Sequence, residues 1–404
     1  MARRCARERV VMIRRLTLVL VVLAVASVRS AEAGKVLVAA NGTDGPACGV
    51  GKVAPCRTIG QAIVNARTGD IVEVGPGRYG DVDGDGAFDG PGDEPAAIDV
   101  GCDCVVHVPA GKPLVIVSRL GSGTTLIDAG GADANVVRID AAGTTFGKLK
   151  HGFTLTRAGD GRGLDSAAND LAIGGNLALN NASHGMRISG DRAAIVGNTA
   201  SANGASGFQL DGARDGVVRG NVALFNGDDG FNQVNRSLVL GNVSIGNDND
   251  GFDQQDDGVV YRTNTALGNG AFGFDLNEGD GSVMIGVLAQ GNGNGINVDG
   301  SDVLIVKSSI VGNRGVGIVI EDEGQGLVVS KTNVFGNDVA GDLMLTNCGV
   351  SSLSGGPLNV ATVFWGAPNG PGDDPADELC LLVPHGGLVV EPPLAKEIKV
   401  KPPR

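Results

Sequence analysis

The chain has 404 residues, a formal net charge of −13 at pH 7, and aromatic residues at only 3% of its positions. Glycine supplies 67 residues without the three-residue period of collagen, which is typical of a β-protein with many turns. The negative charge argues against nucleic acid and anionic membranes as partners and favours a divalent cation.

The N-terminal residues are predicted to form a signal peptide. Two arginines precede an apolar run over residues 16–28 that is too short to span a bilayer, and Ala31-Glu32-Ala33 fits a small-x-small cleavage site. Residues 1–33 hold seven arginines and two acidic residues, so the rest of the chain carries a charge of −18. We therefore expect a secreted or periplasmic monomer that is cleaved near Ala33 and has no membrane anchor in its mature chain.

A short helix and a first strand are predicted next. Thr58 and Gln61 form a capping box, a pairing that marks the start of many helices. The apolar residues that follow lie on one stripe of a helix that could cover the open end of a core: Ile59, Ala62, Ile63 and Ala66. The run at 71–74 is predicted to be the first strand of the fold.

An aspartate-rich loop follows this strand. Asp81, Asp83 and Asp85 alternate as in calcium-binding loops, with Asp89 at the ninth position. Gly92 stands at the twelfth position, where an EF-hand has Glu, and no helices flank the segment. The pattern predicts a calcium loop in an extended insertion, and the alternative is a solvated Gly/Asp loop.

Six cysteines remain once the signal peptide is removed, and an even number in an exported chain favours disulfides. All six lie near the two ends of the mature chain, where cross-links would hold the fold together. The preferred pairs are Cys48–Cys56 and Cys348–Cys380. Cys102 and Cys104 are left open between a disulfide and a Cys-x-Cys zinc site, beside which no histidine cluster lies.

A block of about 22 residues returns eight times between 176 and about 345. Its anchor is an Asn followed, usually four residues later, by a Gly and an apolar residue; these anchors are Asn181, Asn203, Asn226, Asn247, Asn269, Asn292, Asn313 and Asn337. Five copies carry another Asn five positions earlier, namely Asn176, Asn198, Asn221, Asn242 and Asn264. Short β-rich runs separated by turns, with a fixed period and no helical period, predict the stacked coils of a parallel β-helix. The Asn residues are predicted to be structural.

This repeat resembles that of the right-handed parallel β-helix repeat family, which includes pectate-lyase-like and NosD-like proteins. TIGQAIVNARTGDIVEVGPGRYGD at 58–81 is similar to the family's N-terminal cap, and FWGAPNGPGDDPAD at 364–377 to its terminal turn, where Trp365 is expected to plug the core. The resemblance implies an all-β, right-handed parallel β-helix with a short N-terminal capping helix. Its expected parts are a signal peptide at 1–33, an N-terminal cap with irregular first coils at 34–175, regular repeats at 176–354, and a C-terminal cap and tail at 355–404.

The alternation of side chains along a strand predicts which repeat positions face outward. The apolar residue after the repeat Gly is predicted to stack inside consecutive coils, as at Phe208, Phe231, Phe252 and Phe274. The next residue then faces out. The predicted substrate contacts come from this outward set: Arg187, Gln209, Asn232 and Asn297.

The outward positions become acidic in three successive coils. Asp229 and Asp250 precede the repeat Gly, whereas Asp253 and Asp275 follow the core residue, and all four are predicted to lie on one exposed face. Like charges at this spacing are unfavourable unless a cation neutralises them, and calcium accepts six to eight oxygen ligands. The sequence therefore predicts a calcium site here, and the alternative is ordinary turn chemistry.

The segment NDGFD at 249–253 also resembles the calcium segment of family 9 polysaccharide lyases, with Asp250 and Asp253 at the matching positions and Asp229 one coil earlier. The resemblance implies β-elimination of a uronate polymer, in which a Lys base removes a proton from a sugar whose carboxylate calcium polarises. This chain departs from that pattern, because no Lys lies between 150 and 307. Arg262, or Arg236 as the second choice, is expected to serve as the base.

These patterns predict a calcium-binding β-helix whose partner is an anionic or neutral polysaccharide. Cleavage by β-elimination and a non-catalytic role as a surface or carbohydrate-binding solenoid both remain open. A polygalacturonase-like hydrolase is less favoured because its Gly-His-Gly is missing, and a NosD-like copper site because no cluster of Met and His is present.

Overall fold

The computed structural model describes residues 33–94, 102–338, 347–373 and 375–400. Over these ranges 38 strands and one helix follow one another along the chain. The predicted signal peptide at 1–33 lies, apart from Ala33, outside the described residues. No helix among those described is long and apolar enough to span a membrane.

The strands form three parallel sheets, named A, B and C. Sheet A consists of β1 (Lys35–Val38), β2 (Ile71–Val74), β5 (Val115–Ser118), β8 (Thr145–Phe146), β11 (Ala172–Gly174), β14 (Ala194–Val196), β17 (Val217–Arg219), β20 (Leu238–Leu240), β23 (Val260–Arg262), β26 (Val283–Ile285), β29 (Leu304–Val306), β32 (Leu327–Ser330), β35 (Leu358–Asn359) and β38 (Leu388–Val389). Sheet B consists of β3 (Gly77–Gly80), β6 (Thr125–Asp128), β9 (Thr154–Thr156), β12 (Leu177–Leu179), β15 (Thr199–Ser201), β18 (Val222–Leu224), β21 (Val243–Ile245), β24 (Thr265–Leu267), β27 (Leu288–Gln290), β30 (Ser309–Val311), β33 (Thr332–Phe335) and β36 (Val363–Phe364). Sheet C consists of β4 (Cys104–Val108), β7 (Asn135–Ile139), β10 (Leu164–Ser166), β13 (Met186–Ile188), β16 (Phe208–Gln209), β19 (Phe231–Val234), β22 (Phe252–Gln254), β25 (Phe272–Leu276), β28 (Asn294–Val298), β31 (Ile318–Ile320), β34 (Cys348–Ser352) and β37 (Glu378–Leu381).

Each coil passes through sheets A, B and C in turn, so that neighbouring strands in a sheet belong to successive coils. This arrangement is the predicted parallel β-helix. One detail of the prediction is wrong, since β2 is not the first strand: β1 precedes it and pairs with it in the register Lys35↔Ile71. The alternation in β1 places Val36 and Val38 in the core, and a cysteine-bonded loop separates the two strands in sequence.

Two ladders of buried Asn side chains run along the turns that flank sheet B. In one, the Oδ1 of each anchor Asn accepts from the backbone N–H and the Nδ2 of the Asn one coil earlier, as between Asn226 and Asn247 at 3.0 and 2.8 Å. The earlier set, Asn176 to Asn264, repeats this pattern on the other side of the sheet. Buried polar groups are therefore satisfied between coils, which confirms the structural role predicted for the Asn residues.

Replacing Asn242 with Ala is expected to lower the free energy of unfolding by about 2–4 kcal/mol, because it leaves several buried groups without partners. Asn242 donates to Val218 and Asn264 at 2.8 and 3.0 Å and accepts the N–H of Asn221 at 2.9 Å. Urea denaturation would measure the loss. The exposed Asn369 is the matched control, and an equal effect of Asn369→Ala would contradict the ladder's role.

The core of the middle coils is a stack of aromatic rings on sheet C. Phe208, Phe231, Phe252 and Phe274 are fully buried, and their ring centroids follow one another at 4.8, 4.7 and 4.8 Å. This spacing equals the distance between hydrogen-bonded strands, so each ring packs on its equivalent in the next coil. The predicted stack is confirmed.

A helix covers the N-terminal end of the core, as predicted. In α1 (Ile59–Asn65), Thr58 is the N-cap and accepts the N–H of Gln61 at 3.2 Å. The second half of the capping box is absent, because Asp44 accepts the N–H of Thr58 at 3.0 Å and the Gln61 amide donates to Asn65 instead. The buried Glu94 carboxylate accepts the next two N–H groups of the helix. Burial raises the pKa of Glu94 to about 7. Near the other end of the chain, Trp365 is completely buried.

Three disulfides hold regions close to the two ends. Cys48–Cys56 and Cys348–Cys380 are bonded, as predicted. Cys102 and Cys104, whose chemistry the sequence left open, are bonded to each other. The zinc alternative is therefore excluded for this pair, since thiolate ligands are required for such a site.

Candidate functional site

Two columns of outward-facing side chains run along sheet C, one residue from each coil. The trailing column is joined strand to strand by the sheet register and consists of His107, Arg138, Asp165, Arg187, Gln209, Asn232, Asp253, Asp275 and Asn297. The leading column consists of the residues just before each repeat Gly, namely Arg162, His184, Ser206, Asp229, Asp250, Phe272 and Asn294. From His184 to Phe272, each carbonyl accepts the N–H of the repeat Gly in the preceding coil, and Asn294 pairs with Phe272 in the sheet. The predicted substrate contacts all belong to the trailing column.

A β-bulge interrupts the trailing column in β19. Asn232 and Gln233 together lie opposite Asp253, and Gln233 has a φ of 51°. Bulges redirect side chains and occur often beside functional sites. Here the bulge turns the Asn232 amide so that it donates to the Asp229 carboxylate, which connects the two columns.

Asp229, Asp250, Asp253 and Asp275 form one group on this face, named the acidic cluster. Asp229 accepts the backbone N–H of Asp250 at 2.9 Å, and Asp250 accepts that of Phe272 at 2.6 Å. The Asn277 amide bridges Asp253 and Asp275 at 3.3 and 3.0 Å. The structure thus brings all four predicted residues together on one side of the solenoid.

The cluster is not the exposed face that the sequence predicts. Asp229, Asp250 and Asp253 are only 2%, 6% and 8% exposed. Their side chains point away from the core, but amide side chains from neighbouring coils and loops cover them, such as Asn249 on Asp229 and Gln255 on Asp253. The sequence pattern gives the direction of a side chain from its strand and does not report this lateral packing.

Burial and mutual repulsion give the cluster unusual proton affinity. Burial raises the pKa of Asp229 to about 7, and the neighbouring Asp228 and Asp253 add to the shift. Burial raises the pKa of Asp250 to about 8, with further repulsion from Asp275 and Asp229. The pKa values of Asp253 and Asp275 are also raised, again chiefly by burial. Strongly shifted carboxyls in one place are a mark of functional sites.

The carboxylates of the cluster interact without converging on one point. Among the described residues, three ligand atoms from acidic, His or Cys side chains lie within 4.8 Å of one another at Asp81, Asp83 and Asp85 and at Asp44, Cys48 and Cys56. The second group contains a disulfide and offers no thiolate. The acidic cluster is absent from this set, and the amide side chains around it present N–H donors to the carboxylates.

The N-terminal part of the same face is basic. Three arginines surround the carboxylate of Asp165, which is 5% exposed: Arg138, Arg162 and Arg187 lie 3.1, 3.8 and 3.6 Å away. Arg138 also pairs with Asp140, and Arg187 with Asp211. These three arginines together with His184 are named the basic segment. Burial, then repulsion by Arg162, lowers the pKa of His184, so its imidazole is neutral at pH 7.

The structure does not bring the two predicted bases to the acidic cluster. Arg262 lies on β23 of sheet A and is exposed, whereas the four aspartates belong to sheet C or the turn before it. Arg236 lies in the turn between sheets C and A and pairs with Asp215 at 3.0 Å. Both residues are close to the aspartates in sequence. In a β-helix, however, a few residues carry the chain to the next sheet, so closeness in sequence does not place them near the aspartates in space.

The early loop brings together three of its four predicted ligands. Asp81, Asp83 and Asp85 converge as described above, while Asp89 is exposed and lies outside that group. Burial alone would raise the pKa of Asp81, but the N–H groups of Gly86 and Gly84 and the Arg78 guanidinium outweigh it and hold this pKa below its usual value. Asp93 closes the loop by accepting the N–H groups of Val82 and Gly90.

Comparison with known proteins agrees with the fold. A family model described as a right-handed β-helix region matches residues 233–360, and no curated protein matches the chain. The A-module of the Azotobacter vinelandii mannuronan C-5 epimerase AlgE4 aligns over 80% of this chain and 91% of that module, with 16% identity and a TM-score of 0.58. The A-module of AlgE6 from the same organism aligns over 82% and 92%, with 15% identity and a TM-score of 0.55. At such identities the likeness shows the fold alone. The chain is a right-handed parallel β-helix protein, as its repeat predicts.

Sequence reasoning missed most of the basic segment. It also missed Asp165, the carboxylate that the three arginines share. Asp165 pairs with Arg187 in the sheet register and lies one repeat earlier, so extending the 22-residue pattern backwards would have found it. Arg138 could not be found in this way, because the coil between β7 and β10 is longer. Asn277, whose amide bridges Asp253 and Asp275, directly follows β25. The repeat pattern does not predict where this strand ends, so it could not predict the position of Asn277.

Proposed function

We propose that the outer face of sheet C binds an acidic polysaccharide. The observation that carries this proposal is the pair of mostly polar columns, in which one neutral coil with Ser206 and Gln209 separates the basic segment from the acidic cluster. Nine successive trailing residues span about 38 Å at the usual strand spacing. A surface this long, narrow and polar fits a chain-shaped ligand better than a compact one.

The basic segment is the part of this face that would bind the anionic groups of the sugar. Arginine presents a planar fork that matches a carboxylate, and Arg138 and Arg187 keep about a third of their side-chain surface exposed, 36% and 34%. The three guanidinium groups are balanced by three carboxylates, those of Asp165, Asp140 and Asp211. A sugar carboxylate would therefore bind here by exchanging with Asp140 or Asp211 for the partly exposed donors of Arg138 and Arg187.

The acidic cluster is proposed to hold calcium once its carboxyls lose their protons. The ligand set is the carboxylate oxygens of the four aspartates, which calcium prefers. The surrounding amides, which donate N–H groups to these carboxylates, would turn to offer their oxygens to the ion. Such an ion would remove the repulsion between Asp250 and its neighbours. It would also bridge the cluster to a carboxylate of the bound sugar.

Replacing Arg187 with Gln is expected to weaken binding of polygalacturonate or mannuronan about tenfold, since one charge-assisted contact is lost. Affinity electrophoresis or calorimetry would measure the change. Arg192→Gln is the matched control, because Arg192 is an exposed arginine paired with Asp170 outside both columns. Binding that is absent in the wild type, or equally reduced by both variants, would contradict the proposed face.

The early loop is proposed as a second calcium site, on the convergence of Asp81, Asp83 and Asp85. Calcium is expected to protect residues 81–93 from proteolysis, and Asp83→Ala is expected to abolish this protection by removing an exposed ligand. Asp89→Ala is the control, since Asp89 stands outside the convergent group. Protection that is unchanged in Asp83→Ala would exclude the site.

The alternative to binding alone is that this face also cleaves the bound polysaccharide by β-elimination. The observation that favours it is a neutral His184 in the leading column beside Arg162 and Arg187, where an imidazole base and carboxylate-binding arginines would stand together. The unsaturated product absorbs ultraviolet light, so its appearance with either uronate polymer decides between an enzyme and a binding solenoid. Loss of that product in His184→Asn, but not in Arg262→Gln, is the result expected of an enzyme.

A further inference from the structure

Phe225 is the most exposed aromatic residue among those that the structure describes. The chain has 11 Phe, two Tyr and one Trp, all of them among the described residues. Phe225 is 65% exposed, and each of the others is buried or half-buried. Its exposure is therefore a local exception to the way this sequence uses aromatic rings.

The backbone of Phe225 is also exceptional. It occupies the turn position just before each anchor Asn, where every residue has a positive φ: Asn180, Ala202, Phe225, Gly246, Gly268, Gly291, Gly312 and Gly336. This conformation suits Gly and is tolerated by Asn, whereas a bulky residue in it is strained. Phe225, with a φ of 51°, is the only large side chain in the series. Backbone strain that persists at an exposed residue is a reason to look for a function.

The ring lies at the edge of the face described above. It packs over Gly246 of the next coil, where a Cβ would stand only 2.7 Å from the Phe225 ring. Gly246 directly precedes the turn that carries Asn249 and Asp250 of the acidic cluster. Phe225 itself is four residues before Asp229, which places the two within about 14 Å even for a fully extended chain.

We propose that Phe225 is a stacking platform for a pyranose ring of the bound polysaccharide. This inference rests on the proposed function and adds an apolar contact with the sugar ring to the charged contacts proposed above. Apart from the half-buried Phe272, the columns of sheet C consist of arginines, carboxylates, amides and other polar side chains, which offer little to the apolar C–H face of a sugar. An exposed aromatic ring at their rim supplies that contact.

The test replaces Phe225 with Asn, the residue that already occupies the same turn position at Asn180. Binding of polygalacturonate or mannuronan is expected to weaken about tenfold, the loss typical of one stacked ring. The weakening should be equal with and without calcium and at high salt, because stacking is not ionic. The thermal midpoint of Phe225→Asn should equal or exceed that of the wild type, since the strained residue is gone.

Further variants separate stacking from damage to the fold. Phe225→Trp should retain binding, and Phe225→Gly, which five neighbouring coils show to be compatible with this turn, should repeat the loss seen with Asn. Leu149→Ala is the matched control, since Leu149 is a 60% exposed apolar residue that covers Gly197 at the corner between sheets A and B. Wild-type affinity in both Phe225→Asn and Phe225→Gly would overturn the stacking role while leaving the proposed function intact. Absence of glycan binding in the wild type would overturn both.

Discussion

Replacing Phe252 with Ala is expected to lower the free energy of unfolding by about 3–5 kcal/mol, because it removes a ring from the middle of the aromatic stack. Phe252 is fully buried between Phe231 and Phe274, at 4.7 and 4.8 Å, and meets Tyr261 edge-on at 6.1 Å. Truncation would leave a cavity that its neighbours cannot fill, because the backbone of each coil is fixed by the coils on both sides.

Urea denaturation followed by circular dichroism would measure this loss. Phe252→Leu is the matched control, since it keeps an apolar side chain and is expected to cost about 1–2 kcal/mol. Stability in a solenoid is a sum of coils and their interfaces, so the Ala variant should also unfold its middle coils first in hydrogen exchange. A loss below about 1 kcal/mol in Phe252→Ala would show that the stack is not a main source of stability.

The elements that the sequence predicted well are those whose cause is local to one repeat position. Each Asn of a ladder has a buried Asn partner one coil away, and each Phe of the stack has a Phe beside it in the next coil. The period of the repeat is therefore enough to predict the two Asn ladders and the Phe stack. The four aspartates of the acidic cluster were placed correctly on one side for the same reason. Their position follows from the register and from side-chain alternation.

The errors arise where the answer depends on the path of the chain between repeat positions. Arg262 follows Asp253 closely in sequence but belongs to sheet A. Arg138 belongs to the basic segment but precedes the regular period. The bulge at Asn232 and Gln233, and the amide of Asn277 over two carboxylates, bury the acidic cluster through lateral contacts that no repeat pattern contains.

The burial of the acidic cluster leads to the second large expected effect, a loss of stability of calcium-free protein as the pH rises. Asp229 and Asp250 have pKa values of about 7 and about 8 in the folded protein, against 3.8 for an unperturbed Asp. The folded state therefore keeps protons that the unfolded chain releases, so the free energy of unfolding falls as pH increases. This stabilisation is complete below about pH 4, is lost as the pH rises through about 7 and about 8, and is gone above about pH 9.

The expected loss between about pH 5 and about pH 8 is of the order of a few kcal/mol, measured by urea denaturation in a chelator. Glu94 titrates in the same direction, and the lowered pKa of His184 acts in the opposite one, so a comparison with a variant is needed. Asp250→Asn combined with Asp253→Asn mimics the protonated form of two of the four carboxyls and is expected to reduce the pH dependence, with Asp229 and Asp275 left to titrate. Asp257→Asn, an exposed Asp in the turn after β22, should keep the wild-type dependence.

Calcium gives the same cluster a second readout. At about pH 9 the carboxyls of the wild type are largely deprotonated, so it should gain stability from millimolar calcium by mass action, whereas the double variant has lost two ligands. Equal stabilisation of both proteins would place the ion elsewhere, with the loop at Asp81, Asp83 and Asp85 as the remaining site. Identical pH dependence of stability in both proteins would mean that Asp250 and Asp253 are not protonated in the folded state. The inference that burial raises the pKa values of these carboxyls would then be wrong.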